Sequence, residues 1–242
     1  MRFQNKIVVV TGAGQGLGAQ FAEDFSREGA KVMLLGRTKN KVDAIAARIS
    51  AGGGTAAAFE CDVGDATDVE RVFGEIRSAY GPVDILVNNA AVHQSIPVVD
   101  TPVELWDMQI RVNLSGTFYC TKAVLPDMIS REYGKIVNIS SSAAKHFFPG
   151  FGAYAASKGG IVSFTHTLSE EVKHHNINVN AIYLGMTNTE HSRERLGSDK
   201  AVTIPLDSML QVDEVSRVVL FLASDDAAPI MGAAIDVFGK KS

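Results

Sequence analysis

The chain has 242 residues, of which 46% are apolar and 21% are charged, and its formal net charge is −4 at pH 7. These values are typical of a globular protein with a sizeable core, and the negative charge argues against nucleic acid or an anionic membrane as the main partner. The first apolar segment, about four residues long, is too short for a signal peptide or a membrane-spanning helix, so we expect a soluble cytoplasmic protein.

The two cysteines, Cys61 and Cys120, lie in separate apolar segments without a paired spacing. This arrangement predicts buried free thiols in a reducing compartment. None of the six histidines has the spacing of a metal ligand, so we predict no metal site.

Short apolar runs alternate with helical patterns along the chain. The runs, each bounded by turn residues, are Ile7–Val10, Val32–Leu35, Thr55–Phe59, Val83–Val87, Ile136–Ile139 and Ile177–Ile182. Continuously apolar strands that alternate with helices predict an α/β fold in which helices cover both faces of a parallel sheet. No linker or internal repeat divides the chain, so we predict that residues 1–242 form one doubly wound domain.

A polar stretch from about residue 188 to residue 210 lacks a clear period. An irregular insertion of this length in a compact domain usually has a function. We interpret it either as a lid over the substrate, at the carboxyl ends of the strands, or as a plain surface loop.

A glycine-rich segment, Thr11–Gly18, follows the first apolar run and opens the first predicted helix. Glycines at positions 12, 16 and 18 allow a tight turn and let the backbone approach a diphosphate, which the helix N-terminus then faces. A glycine cluster also occurs in plain connectors, so this motif needs support from the rest of the chain.

Tyr154 and Lys158 are one helical turn apart on a predicted helix, so their side chains share one face. A fixed cation beside a phenol favours the phenolate, which suits the phenol for acid–base work near neutral pH. Ser141 follows the run Ile136–Ile139, at a strand end where α/β sheets place their chemistry. A tyrosine and a lysine at this spacing are also common on ordinary helices, so the pair alone does not define a site.

Together with Asn88-Asn89-Ala90 and Asn113, these motifs resemble the short-chain dehydrogenase/reductase family in its branch with the TGxxxGxG and YxxxK patterns. In pattern the chain is similar to 3-oxoacyl-acyl-carrier-protein reductases and secondary-alcohol dehydrogenases, from Lys6 to about Val237. The resemblance implies a three-layer Rossmann fold with a seven-stranded parallel sheet, usually in a homotetramer. It also implies hydride transfer between NAD or NADP and a ketone or secondary alcohol.

The catalytic residues that the resemblance implies are Asn113, Ser141, Tyr154 and Lys158. Tyr154 would be the general acid/base, Ser141 would bind the carbonyl oxygen, and Lys158 would assist Tyr154 and bind the nicotinamide ribose. Asn113 would hold a water that links Lys158 to solvent. Ser140 and Ser142 offer the same hydroxyl, and only the family's spacing to the tyrosine selects Ser141.

The resemblance also implies a set of cofactor-binding residues: Gly12, Gln15, Gly16, Leu17, Gly18, Asp62, Val63, Asn89, Ala90, Tyr154, Lys158, Met186 and Thr189. We add Arg37 and Thr38 to this set because they follow the second strand, where the side chains distinguish NAD from NADP. A carboxylate there would bind the ribose hydroxyls of NAD, whereas this chain has Gly36-Arg37-Thr38, and a guanidinium suits a 2′-phosphate. We therefore predict NADP(H), with NAD(H) as the alternative.

Substrate contacts are predicted from the polar and aromatic residues near these motifs. Ser141, His93, Phe148 and Tyr183 are the predicted contacts, with Gln94, Phe147, Phe151 and His191 as further candidates. The aromatic residues favour a hydrophobic or alicyclic ketone, although packing at a helix entrance or a subunit interface would explain them equally well. A nucleotide-binding regulator without catalysis is the alternative function, but such proteins typically lose the tyrosine or the lysine.

Overall fold

A parallel sheet of seven strands forms the centre of the protein, in the order β3-β2-β1-β4-β5-β6-β7. This computed structural model describes residues 1–190, 192–193 and 208–239. The strands are β1 (Ile7–Thr11), β2 (Lys31–Gly36), β3 (Thr55–Glu60), β4 (Ile85–Asn88), β5 (Gly134–Ile139), β6 (Ile177–Leu184) and β7 (Ala234–Val237). All neighbouring strands pair in parallel, which confirms the predicted doubly wound α/β sheet.

Helices cover both faces of the sheet and give a three-layer Rossmann fold. They are α1 (Gly16–Arg27), α2 (Lys39–Ala51), α3 (Ala66–Tyr80), α4 (Val103–Gln109), α5 (Gly116–Ser130), α6 (Gly152–Val172) and α7 (Val212–Ala223). Buried side chains of α1, α2 and α7 pack in one core cluster, and those of α3, α5 and α6 pack in the other. Each face of the sheet therefore carries its own apolar core.

The strand order reverses direction beside β1, which pairs with β2 on one side and with β4 on the other. A crevice opens at such a switch point, outside the carboxyl ends of the strands, and it is the usual ligand site of an α/β sheet. The glycine-rich segment after β1 and Asn89 after β4 both lie at this crevice.

The predicted bounds of the fourth strand differ from those in the structure. The fourth strand begins at Ile85 rather than Val83. At Asp84, just before the strand, the backbone amide donates to the Ile7 carbonyl and the carboxylate accepts from the Ile7 amide, both at 2.9 Å. Val83 is buried by packing and lies outside the strand. A π-helical turn, Ile110–Ser115, lies between α4 and α5 and interrupts the helical region that follows Pro102.

Both cysteines are free and buried, as predicted. Burial raises the pKa of the Cys61 thiol to about 12 and raises that of Cys120 well above its usual value. Across the described ranges, no helix is long and apolar enough to cross a membrane. The same residues contain no cluster of three or more His, Cys, Asp or Glu side chains suited to a metal ion.

Candidate active site

The glycine-rich turn after β1 has a backbone that only glycine adopts easily. Gly12 and Gly16 have φ angles of 65° and 54°. A Cβ atom at Gly18 would lie 2.2 Å from the Gly12 carbonyl oxygen and 2.7 Å from Asn89 Nδ2. The helix N-terminus therefore packs directly on the turn, and this close backbone approach fits the diphosphate of a dinucleotide.

Asn89 holds this turn from the end of β4. Its Nδ2 donates to the Thr11 carbonyl at 2.9 Å, and its backbone amide donates to Thr11 Oγ1 at 3.0 Å. The two strand ends that flank the crevice are thus tied together by side-chain hydrogen bonds.

A cleft of about 400 Å³ opens over the turn. Many of the predicted cofactor residues line it: Gly12, Gln15, Gly16, Leu17, Gly18, Arg37, Thr38, Val63, Asn89, Ala90 and Thr189. Further lining residues include Lys41, Cys61, Val92 and Val112. The cleft runs from the end of β2, past the glycine turn, to the π-helical turn.

The β2 end of the cleft carries positive charge. Arg37 and Thr38 line it, and Lys41 Nζ donates to Gln15 Oε1 at 2.7 Å across its rim. The side chain of Lys41 also lies against the turn, since a Cβ atom at Gly14 would be 3.0 Å from the Lys41 Cβ. The contact between Lys41 and Gln15 was not predicted from the sequence.

Asp62 lies beside the cleft, between Cys61 and Val63, which line it. One carboxylate oxygen accepts from the Gly64 amide at 3.0 Å, and the other pairs with Arg111 at 3.1 Å. Asp65 caps helix α3 by accepting from the amides of the second and third residues beyond it. The side chain of Asp62 is therefore held at the mouth of the cleft and does not cap the helix.

Two predicted cofactor residues follow β6. Thr189 approaches the glycine turn, because a Cβ atom at Gly16 would lie 3.6 Å from its methyl group. Met186 is 36% exposed, and its carbonyl accepts from the Leu210 amide at 3.0 Å. His191 and most of the predicted lid lie outside the described residues.

Tyr154 and Lys158 lie on α6, which begins at Gly152. Lys158 is 2% exposed, and its ammonium lies 5.7 Å from the centre of the Tyr154 ring. The ammonium donates to the Ile139 carbonyl at 2.7 Å, at the carboxyl end of β5. Burial lowers the pKa of Lys158 to about 8.

The three neighbouring serines have different surroundings. Ser140 is 1% exposed, and its hydroxyl donates to the Lys158 carbonyl at 2.9 Å, so it is turned into the core. Ser141 is half-buried, and its Oγ accepts from the Ala143 amide at 3.2 Å. Ser142 begins a short 3₁₀ turn. Ser140 is therefore engaged elsewhere, which leaves Ser141 and Ser142 with partly accessible hydroxyls.

Asn113 lies in the π-helical turn and is fully buried. Its amide accepts from the Val92 amide at 2.8 Å and donates to the Val92 carbonyl at 2.9 Å. It also donates to Ser157 Oγ at 3.0 Å, and Ser157 in turn donates to the Tyr154 carbonyl at 2.7 Å. Ser157 thus joins Asn113 to α6, a contact that no sequence motif indicated.

Two aromatic rings, those of His93 and Phe151, lie close to the Tyr154 ring. The His93 ring lies 4.4 Å from the Tyr154 ring and 4.5 Å from the Phe151 ring, and the Phe148 and Phe151 rings are 5.3 Å apart. Phe148 is 46% exposed. Tyr183 lies in another group, where the Lys145 ammonium is 4.2 Å from its ring and pairs with Asp236.

A dinucleotide cleft on a doubly wound sheet, with a tyrosine, a buried lysine, a serine and an asparagine gathered beyond it, defines an NAD(P)-dependent oxidoreductase. The family model described as short chain dehydrogenase matches residues 6–200. The chain therefore belongs to the short-chain dehydrogenase/reductase family, as the motifs indicated.

Individual relatives and a solved structure agree with this assignment. The chain is 34% identical to the 3-oxoacyl-(acyl-carrier-protein) reductase of Thermotoga maritima, over 99% of this chain and 98% of that protein. It is 35% identical to the meso-2,3-butanediol dehydrogenase of Serratia marcescens, over 99% and 95% of the two chains. Its fold matches the crystal structure of an NAD⁺-bound xylitol dehydrogenase with a TM-score of 0.93 at 29% identity, covering 99% of this chain and 100% of that one.

Proposed function

We propose that the protein is an NADP(H)-dependent oxidoreductase that transfers hydride between the nicotinamide and a ketone or secondary alcohol, with Tyr154 as general acid/base. The observation that carries this proposal is the buried Lys158 ammonium, 5.7 Å from the Tyr154 ring. A lysine is almost never fully buried unless it is paired with another group. Here the ammonium lies close enough to the Tyr154 ring to stabilise a phenolate at that residue.

Each catalytic side chain has a defined task in this mechanism. The dinucleotide, when bound, supplies or accepts the hydride. In the direction of reduction, Ser141 donates a hydrogen bond to the carbonyl oxygen while the Tyr154 phenol gives that oxygen its proton. Lys158 stabilises the phenolate that remains, and oxidation of an alcohol uses the same groups in reverse.

Asn113 supports this arrangement from the neighbouring helix. It contacts Val92 at the cleft and reaches α6 through Ser157. We propose that it also holds the water through which Lys158 exchanges protons with solvent. The four side chains then act as a unit, and the loss of any one should impair turnover.

The preference for NADP(H) rests on charge at the β2 end of the cleft. Arg37, Thr38 and Lys41 line it, and a guanidinium binds a phosphate in a forked geometry that a ribose hydroxyl does not need. NAD(H) is the alternative, and the structural match to an NAD⁺-bound xylitol dehydrogenase favours testing it in parallel. A clearly higher kcat/KM with NADH than with NADPH would refute the preference.

The predicted substrate contacts are Ser141, His93, Phe148 and Tyr183. The rings of His93, Phe148 and Phe151 next to Tyr154 support an apolar wall, which favours a hydrophobic or alicyclic ketone. We expect kcat/KM to be higher for an alicyclic ketone than for an open-chain hydroxyketone of equal size.

We further propose that the chain is one cytoplasmic domain that assembles into a homotetramer. Trp106 on α4 and Phe118 on α5 are 42% and 44% exposed, which supports burial against another copy. Light scattering coupled to gel filtration tests the tetramer, and a monomeric mass would contradict it.

The experiment that tests the proposed function is a panel of ketones and alcohols assayed with both cofactors by the absorbance of reduced nicotinamide. Turnover of at least one ketone with NADPH is expected. NADPH binding without turnover across a broad panel would instead identify a nucleotide-binding regulator.

A further inference from the structure

Two buried amide side chains hold the backbone on both sides of His93. Asn113 bonds both the amide and the carbonyl of Val92. Gln109 does the same for Gln94, accepting from its amide at 3.4 Å and donating to its carbonyl at 3.3 Å. Asparagine and glutamine suit this task because each carries an acceptor and donors on one planar group.

The spacing of the two amides matches the spacing of the backbone that they hold. Gln109 ends α4 and Asn113 lies in the following π-helical turn, so the two are separated by roughly 6 Å at about 1.5 Å per helical residue. Two residues of extended chain span roughly 6.6 Å. Side chains on one face of the helix therefore form hydrogen bonds with the backbone of residues 92 and 94, as the backbone of a neighbouring strand would. Residue 93 is fixed between these two contacts.

The residue fixed in this way is His93, whose ring contacts the ring of Tyr154, the proposed proton donor. His93 lies 4.4 Å from the Tyr154 ring at an interplanar angle of 73°, an edge-to-face arrangement. The Phe151 ring also lies close to the His93 ring, at 4.5 Å. A shift of the backbone at residue 94 would therefore move the imidazole relative to both rings.

Gln109 is a buried polar side chain whose amide forms two hydrogen bonds. It is 1% exposed, and its amide donates to the Gln94 carbonyl. An amide that is buried without hydrogen bonds costs free energy, so the two bonds to Gln94 account for a glutamine at this buried position.

We infer that Gln109 is a positioning residue of the active site, acting through His93 on the wall of the substrate pocket beside Tyr154. The inference rests on the proposed function for its effect on turnover, but the contact itself is measured without turnover.

The first measurement is nuclear magnetic resonance of the histidine ring protons in the full-length protein. His93→Ala identifies the His93 signals by their loss, and ring currents from Tyr154 and Phe151 make those signals sensitive to small displacements. Gln109→Met should shift or broaden the His93 signals and leave those of the other histidines in place. Gln109→Asn, which withdraws the amide by one methylene, should do the same and serves if the methionine variant unfolds.

Gln20→Met is the matched control, because Gln20 is a helical glutamine whose amide donates to Asp24 at 2.9 Å on α1. It should leave the His93 signals unchanged. His93 signals that stay in place in both Gln109 variants would overturn the inference, whatever the activity of the protein.

The second measurement is a double-mutant cycle on kcat/KM for the best ketone of the panel. Gln109→Met should lower kcat/KM about three- to tenfold, the effect of roughly one net hydrogen bond, and should change the NADPH Kd less than about twofold. In the His93→Ala background the same substitution should cost less than about twofold. An additive cost would mean that Gln109 does not act through His93 and would overturn the inference. A protein that turns over nothing would refute the proposed function alone, since the resonance measurement still decides the contact.

Discussion

The Lys158 ammonium lies 5.7 Å from the centre of the Tyr154 ring and donates to the Ile139 carbonyl at 2.7 Å. One contact faces the proposed proton donor, and the other anchors the cation to the carboxyl end of β5. The lysine is thus fixed by the sheet while its charge acts on a side chain of the adjacent helix.

The burial of Lys158 predicts how stability depends on pH. Its pKa is lowered from 10.5 to about 8 in the folded protein, so between these values the unfolded chain holds a proton that the folded protein has released. The free energy of unfolding of the native protein, relative to Lys158→Met, should therefore rise by about 1 kcal/mol from roughly pH 7 to pH 9. Urea unfolding across that range measures the difference between the two proteins. Comparison with the variant cancels the titration of other groups, and a difference that does not change with pH would contradict the assigned burial of the cation.

The positive end of the cleft predicts a loss of affinity that is specific to one cofactor. Arg37→Ala and Lys41→Ala should each weaken NADPH binding about tenfold, the effect of losing a charge-assisted hydrogen bond, while NADH binding changes little. Fluorescence titration of both cofactors gives the two Kd values. Lys31→Ala removes a positive charge at the opposite end of β2 and is the control. Equal losses for NADPH and NADH would show that neither side chain reads the 2′-phosphate.

Two glycines of similar helical context should respond in opposite directions to alanine. A methyl group at Gly18 meets the Gly12 carbonyl oxygen at 2.2 Å, so Gly18→Ala should destabilise the protein by about 1–3 kcal/mol and abolish NADPH binding. At Gly74, within α3, no atom of the described residues apart from its chain neighbours and its own helix backbone lies within 4 Å of the position that a methyl group would take. Gly74→Ala should therefore stabilise the protein by about 0.5–1 kcal/mol. Urea midpoints compare the three proteins. A neutral Gly18→Ala would contradict the close approach of turn and helix.

Much of the fold was predictable because buried parallel strands are continuous apolar runs. Six strands followed from such runs, whereas β7 did not, since it has only four residues, one of them is Asp236, and three of the four are only partly buried or exposed. Its place in the sheet comes from pairing with β6, a contact between distant parts of the chain. Val83 was assigned to β4 because it is apolar, but the hydrogen bonds to β1 begin at Asp84.

The site was predictable where it is made of motifs and was missed where it is made of buried polar contacts. Tyr154, Lys158 and the glycine turn have characteristic spacings, so their positions follow from the sequence. Gln109 and Ser157 are ordinary helical residues in the sequence, and only the folded structure brings Gln109 to Gln94 and Ser157 to Asn113. The one available signal was a polar residue on the buried face of a helix near Asn113.

Tyr154→Phe tests the central claim most directly, because it removes one oxygen atom and retains the ring that contacts His93. We predict that kcat/KM for the best ketone falls by about 10²- to 10⁴-fold, which is the usual contribution of a general acid. The NADPH Kd should change less than about twofold. Residual turnover within about tenfold of the native enzyme, with cofactor binding intact, would contradict the assignment of Tyr154 as the proton donor.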